Sequence, residues 1–146
     1  MAGKTSAQEY QELGRRYYKL KQYAKAIEVL SQGINEVPTL GLYDHRAATY
    51  DKLNEFNAAV KDGREMIKMD KKEVRGYLRT ASVLEKMDKP DTALGIYKYG
   101  MKNVSVTDAN FKVGWCREVY GVLADMERTR FSNNCTTDSH VGSRQP

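Results

Sequence analysis

Cysteine, histidine and proline are scarce in this chain, and each shortage closes a line of interpretation. Two cysteines, Cys116 and Cys135, cannot build a disulfide framework, and neither has the neighbours of a zinc or redox motif. The two histidines, His45 and His140, lie far apart in sequence. His140 is five residues from Cys135, but in a segment with no periodicity to hold a nucleophile against its base. No glycine loop has the spacing that cradles phosphates. An enzyme, a metal site and a bound cofactor are therefore not expected.

No apolar run approaches the ~18 residues of a membrane span. The N-terminus lacks the apolar core of a secretory signal, and Ala at position 2 disfavours myristoylation. With 40% hydrophobic and 29% charged residues, the composition is that of a folded soluble domain, expected in the nucleus or cytoplasm as a monomer. The net charge of +5 suits acidic partners; without a recognised motif beside it, nucleic-acid binding is not expected.

What the chain does have is an echo. Tyr10-Gly14-Tyr17-Ala26, Tyr43-Ala47-Tyr50-Ala59 and Tyr77-Ala81-Leu84-Ala93 repeat one pattern at a spacing of 33 to 34 residues. A period of that length belongs to stacked helical hairpins. Apolar positions return every three to four residues, and no stretch alternates like a strand. The pattern predicts helix pairs at 7–20 with 23–36, 40–53 with 56–69, and 74–87 with 90–103. A further helix is predicted at 108–128, carrying Phe111, Trp115, Val119, Val122 and Met126 behind a cap at Asp108. Pro38 stops one helix and Thr39 caps the next, whereas Pro90 falls in a first turn, where a missing N–H is harmless. Residues 131–146 have no periodicity and read as a disordered tail.

These residues resemble the tetratricopeptide repeat. The first unit, 7–39, matches best through Tyr10, Leu13, Gly14, Tyr17, Tyr23, Ala26, Leu30, Gly33 and Pro38. The second, 40–73, departs with Gly63 in place of a large apolar residue, and the third, 74–107, with Pro90 at an aromatic position. The resemblance implies an all-α, right-handed superhelix of three hairpins, with the helix at 108–128 capping the exposed face of the last. It also assigns the echoing tyrosines, glycines and alanines to packing and places function on the first helix of each hairpin. The expected groove carries Gln11, Arg15, Tyr18 and Lys19, then Asp44, His45, Ala48 and Lys52, then Arg75, Leu78, Arg79 and Lys86. Lys19, Lys52 and Lys86 share one position in successive repeats and are expected to form a row. The expected peptide-binding residues are Arg15, Tyr18, Lys19, His45, Lys52, Arg75, Arg79 and Lys86, and the expected partner is an acidic protein segment.

Two family roles are compatible with such a groove. The stretch Arg75–Val104, with Asn110-Phe-Lys112, resembles the N-terminal repeat region of fungal F-box proteins. That resemblance implies the partner-recruiting module of a ubiquitin-ligase receptor, here without the Leu-Pro segment that opens an F-box. The alternative is the carboxylate clamp of co-chaperones, which holds chaperone tails ending Glu-Glu-Val-Asp. Its Lys, Asn, Asn, Lys, Arg pattern falls on Gln11, Arg15, His45, Arg75 and Arg79, with only Arg79 identical.

Overall fold

The computed structural model describes residues 5–104 together with Gly121. These residues hold six helices in three hairpins: α1 (Ala7–Lys19), α2 (Tyr23–Glu36), α3 (Leu40–Lys52), α4 (Phe56–Met69), α5 (Val74–Lys86) and α6 (Pro90–Asn103). The chain divides into the compact units Met1–Ser105 and Val106–Pro146. Apart from Gly121, the predicted helix at 108–128 and tail at 131–146 lie outside the described residues.

The odd helices start on side-chain caps. Ser6 Oγ accepts from the Glu9 N–H at 3.3 Å while Glu9 Oε2 accepts from the Ser6 N–H at 3.1 Å, which forms a reciprocal capping box. Thr39 and Glu73 accept from the N–H groups of Leu42 and Arg75 in the same way. The even helices start without side-chain caps, as a consequence of the turns before them. Lys21, Asn54 and Asp88 all adopt the left-handed backbone, at φ 59°, 59° and 57°. Each turn is closed by a backbone bond of 2.9 to 3.0 Å: Gln22 N–H to Tyr17 O, Glu55 N–H to Tyr50 O, and Lys89 N–H to Leu84 O. The odd helices accordingly end at 19, 52 and 86, one residue before the sequence pattern predicts, because Leu20, Leu53 and Met87 begin the turn at ψ near zero. Pro90 is in the first turn of α6, as expected.

The echo positions are the packing positions. Ala26, Ala59 and Ala93 are fully buried, where the two helices of each hairpin meet. Gly14 serves the same approach from α1, since a Cβ there would lie 2.5 Å from Leu30 Cδ2. Leu30, Ile34 and Leu42 form a buried cluster against Ala7, Tyr10 and Tyr43, joining the first hairpin to the second. Tyr77 is fully buried and donates its hydroxyl to the Lys71 carbonyl at 2.8 Å, while Tyr97 donates to Glu85 at 2.8 Å. Burying the Tyr77 ring contributes roughly 1.5–3 kcal/mol, on the order of any fully buried large side chain.

Within this unit α3 touches both α1 and α5, and each even helix before the last packs between two odd ones. The odd helices thus form an inner layer and the even helices an outer one. One polar cluster ties the layers together. Asp62, almost fully buried on α4, accepts two bonds from the Arg46 guanidinium on α3, at 2.7 and 2.8 Å. Arg46 also donates to Ser31 of α2 at 3.1 Å and lies over the Tyr43 and Tyr50 rings at 5.5 and 5.9 Å.

Candidate functional site

The inner layer brings the expected site residues close, but it does not leave them equally available. Arg79 of α5 places Nε and Nη2 at 2.9 and 2.8 Å from Asp44 Oδ1 on α3. Two helical turns further along both helices, Lys86 pairs with Asp51. The steps Asp44 to Asp51 and Arg79 to Lys86 are both seven residues, so the rungs lie about 10 Å apart along the helices. Asp51 Oδ1 is buried with no hydrogen-bond partner among the described residues, so that carboxylate depends on the Lys86 ammonium. Arg75, at the start of α5, is drawn to Glu73 at 3.0 Å. The three groove cations of the third repeat, Arg75, Arg79 and Lys86, are therefore each paired from within.

The first-repeat end is different. Gln8, Gln11, Glu12 and Arg15 of α1 meet His45 of α3 around an open cleft of about 270 Å³. Gln11 Nε2 donates to Thr39 Oγ1 at 3.3 Å, which orients the amide and leaves its carbonyl oxygen and second N–H for other partners. Among the described residues Arg15 forms no ion pair, although Glu12 stands one turn before it on α1. A second cleft, about 350 Å³, continues past Arg15 to Arg16 and Lys19. Lys19 and Lys52 are exposed and likewise form no ion pair among the described residues.

His45 sits where these charges converge. Burial lowers its imidazole below the ordinary histidine value; Asp44 opposes that shift, and Arg15, Arg79 and Arg75 reinforce it. At neutral pH the ring is neutral and offers one donor and one acceptor. Tyr18 is placed apart from the clefts: its ring packs edge-on against Tyr23 at 5.6 Å, which closes the turn of the first hairpin. Charge counting along the sequence misses the contribution of Gln8 and the pairing of Asp44 and Asp51. The signal for those pairs is a spacing of 35 residues, one repeat plus one, between acid and base.

A stack of helix hairpins with an inner layer of first helices defines a helical-repeat protein. The fold is that of a tetratricopeptide-repeat domain. No family model matches the sequence. The chain is 41% identical over 63 residues to Protein DIA2 of Eremothecium gossypii, covering 43% of this chain and 9% of the relative. It is 31% identical over 100 residues to Hsp70-Hsp90 organizing protein 3 of Arabidopsis thaliana, covering 68% and 18%. Among solved structures, the first TPR domain of Spaghetti (RPAP3), bound to the HSP90 peptide SRMEEVD, superposes with a TM-score of 0.66 at 22% identity, over 82% of this chain and 96% of that one. The chain thus spans less than a fifth of the length of these curated relatives. No described helix is long and apolar enough to cross a membrane.

Proposed function

We propose that this chain is a protein-interaction module whose inner layer holds an acidic C-terminal peptide, with a terminal carboxylate seated between Arg15, Gln11 and His45. The observation that carries this reading is the uncommitted Arg15 guanidinium at the cleft, set beside an oriented amide, while Arg79 is already occupied by Asp44. Guanidinium binds carboxylate in a bidentate fork, and Lys19 and Lys52 extend the positive surface for further acidic residues. The domain that superposes on this fold is bound to a peptide ending Glu-Glu-Val-Asp, and one relative is named for organising Hsp70 and Hsp90, which supports a co-chaperone role. The ubiquitin-ligase-receptor role implied by the F-box resemblance has no comparable support in these names or in the described residues, and it ranks second.

Fluorescence anisotropy with labelled SRMEEVD tests the reading. Binding in the micromolar range is expected, weakened about tenfold or more by Arg15→Ala, since a hydrogen bond to a charged group is worth roughly 1.5–3 kcal/mol. Amidating the peptide terminus should weaken binding as well. Undiminished affinity in the Arg15 variant would overturn this placement of the carboxylate, and no binding at all would overturn the acidic-tail reading.

A further inference from the structure

The outer layer carries a third cleft, also cationic, that the inner groove does not explain. It has a volume of about 430 Å³ and lies between the exposed face of α4 and the turn that joins α5 to α6. Its floor is apolar: Val60 and Leu84 are 8% and 4% exposed, and Met87 is half-buried beside them. Its rim is basic. Lys61, Arg64 and Lys68 follow one another at three- and four-residue steps, which puts them on one face of α4, and Lys89 approaches from the turn. Glu65 is the one acidic residue of the lining, and it pairs with Lys68 at 2.7 Å. Lys61, Arg64 and Lys89 form no ion pair among the described residues.

We propose that this cleft is a second docking site, for an acidic segment of a partner protein that carries an aliphatic side chain between its carboxylates. Charge complementarity selects the acidic class: four cations around one carboxylate leave a local excess that an anionic segment neutralises. The aliphatic side chains of Val60, Leu84 and Met87 at its base select a protein segment, because they offer the central side chain an apolar contact between the cations. No aromatic ring lines the cleft, so nothing there stacks on a nucleic-acid base. The site is built from α4 and the α5–α6 turn, whereas the carboxylate seat is built from α1 and α3. Both can be filled together, which makes the domain a bridge between two acidic partners.

Nuclear magnetic resonance on the full chain distinguishes this site from the inner groove. The probe is acetyl-Glu-Glu-Leu-Glu-Glu-Leu-amide, which has no free terminal carboxylate. It should shift amides in 57–68 and 84–89, and should do so equally when the chain is saturated with SRMEEVD. Lys61→Glu with Arg64→Glu should weaken the probe about tenfold or more while helicity and SRMEEVD affinity stay unchanged. Lys61→Ala with Arg64→Ala, a milder change at two exposed positions, should give a smaller loss in the same direction. The proposal is overturned if the probe shifts only residues around Arg15 and His45, if the double variants bind it as wild type does, or if an oligothymidine shifts the cleft residues at lower concentration than the peptide.

Discussion

Asp44 occupies Arg79: the carboxylate on α3 accepts a hydrogen bond from Arg79 Nε at 2.9 Å and stands 2.8 Å from Nη2, on the face where an acidic ligand would need that guanidinium. The pair is a competitor built into the domain. Asp44→Asn removes the competing charge and leaves an acceptor of nearly the same shape. Affinity for SRMEEVD should rise about fivefold, or ~1 kcal/mol, with a steeper dependence on salt. Because the Arg79 side chain is a third exposed, screening limits the accompanying loss of stability to under ~1 kcal/mol. Weaker peptide binding in this variant would mean that Asp44 positions Arg79 for the ligand instead of withholding it.

The Arg46–Asp62 pair sits deeper and should respond differently. Asp62→Ala strands a half-buried guanidinium between Tyr43 and Tyr50, with Ser31 as its remaining hydrogen-bond partner. A loss of about 3 kcal/mol is expected in urea unfolding, the lower end for breaking a buried pair because Arg46 keeps 18% side-chain exposure. Replacing both partners, Arg46→Met with Asp62→Leu, should recover most of that loss, since no uncompensated charge remains. Equal destabilisation of the single and double variants would show that the bidentate bond itself, more than relief of a buried charge, holds the layers together.

The two pairs mark where sequence reading stops. The echo of tyrosines, glycines and alanines was legible because packing positions must recur at the repeat period. It located all six described helices to within a residue at each end, with Thr39 as a cap and Pro90 in a first turn. It gathered Arg15, His45, Arg75 and Arg79 on one layer. It could not tell which cations are free, because Asp44 reaches across a whole repeat to Arg79 and a tally of charge on one helix face does not register that. Arg46 reads as an ordinary surface arginine until Asp62 is seen buried beneath it. Tyr18, which the family resemblance places in the groove, also packs edge-on against Tyr23, a contact that charge and spacing do not announce.

Gly63, which departs from the repeat pattern, has a local reason. A Cβ at Gly63 would fall 2.2 Å from Thr80 Oγ1, a buried hydroxyl that donates to the Gly76 carbonyl at 2.7 Å. The absent side chain makes room for α5 to seat against α4. Gly63→Ala should cost about 1–3 kcal/mol in thermal or urea unfolding through overpacking, and Thr80→Ala in the same chain should return part of it. Gly95, in α6 with nothing within 4 Å of its would-be Cβ, is the control. Gly95→Ala should stabilise by about 0.5–1 kcal/mol through helix propensity. Destabilisation of the same size at both positions would argue against the Thr80 contact.

Lys21 is the one member of the three hairpin turns ill-suited to its backbone. Asn54 and Asp88 hold the same left-handed conformation with side chains that tolerate it, whereas lysine pays a steric penalty on the order of 1 kcal/mol. Lys21→Asn or Lys21→Gly should therefore raise the unfolding midpoint, by about 0.5–1 kcal/mol in free energy. The corresponding Asn54→Lys should lower it by a similar amount. No response at either position would mean that the turns relax at little cost.

His45 should make both stability and ligand binding depend on pH, with opposite signs. Its folded-state value lies below the ordinary histidine value, chiefly because of burial. Between those two values the unfolded chain binds more protons than the folded one, so stability rises with pH across that window. The contribution is fully present above the ordinary histidine range and is lost as pH falls through the depressed value. A peptide carboxylate seated beside the ring acts in the other direction: it favours the imidazolium, so binding takes up a proton. Affinity for SRMEEVD should therefore increase from pH 7.5 to 6.0, by at most about tenfold for each unit by which the ligand raises the ring's value, while the peptide carboxylates stay ionised. His45→Gln keeps a donor and an acceptor at the same place without the titration. That variant should bind at neutral pH within a few-fold of wild type and show a flat profile in both melts and anisotropy. A pH-dependent affinity that survives His45→Gln would assign the proton to another group and move the carboxylate away from the α1–α3 cleft.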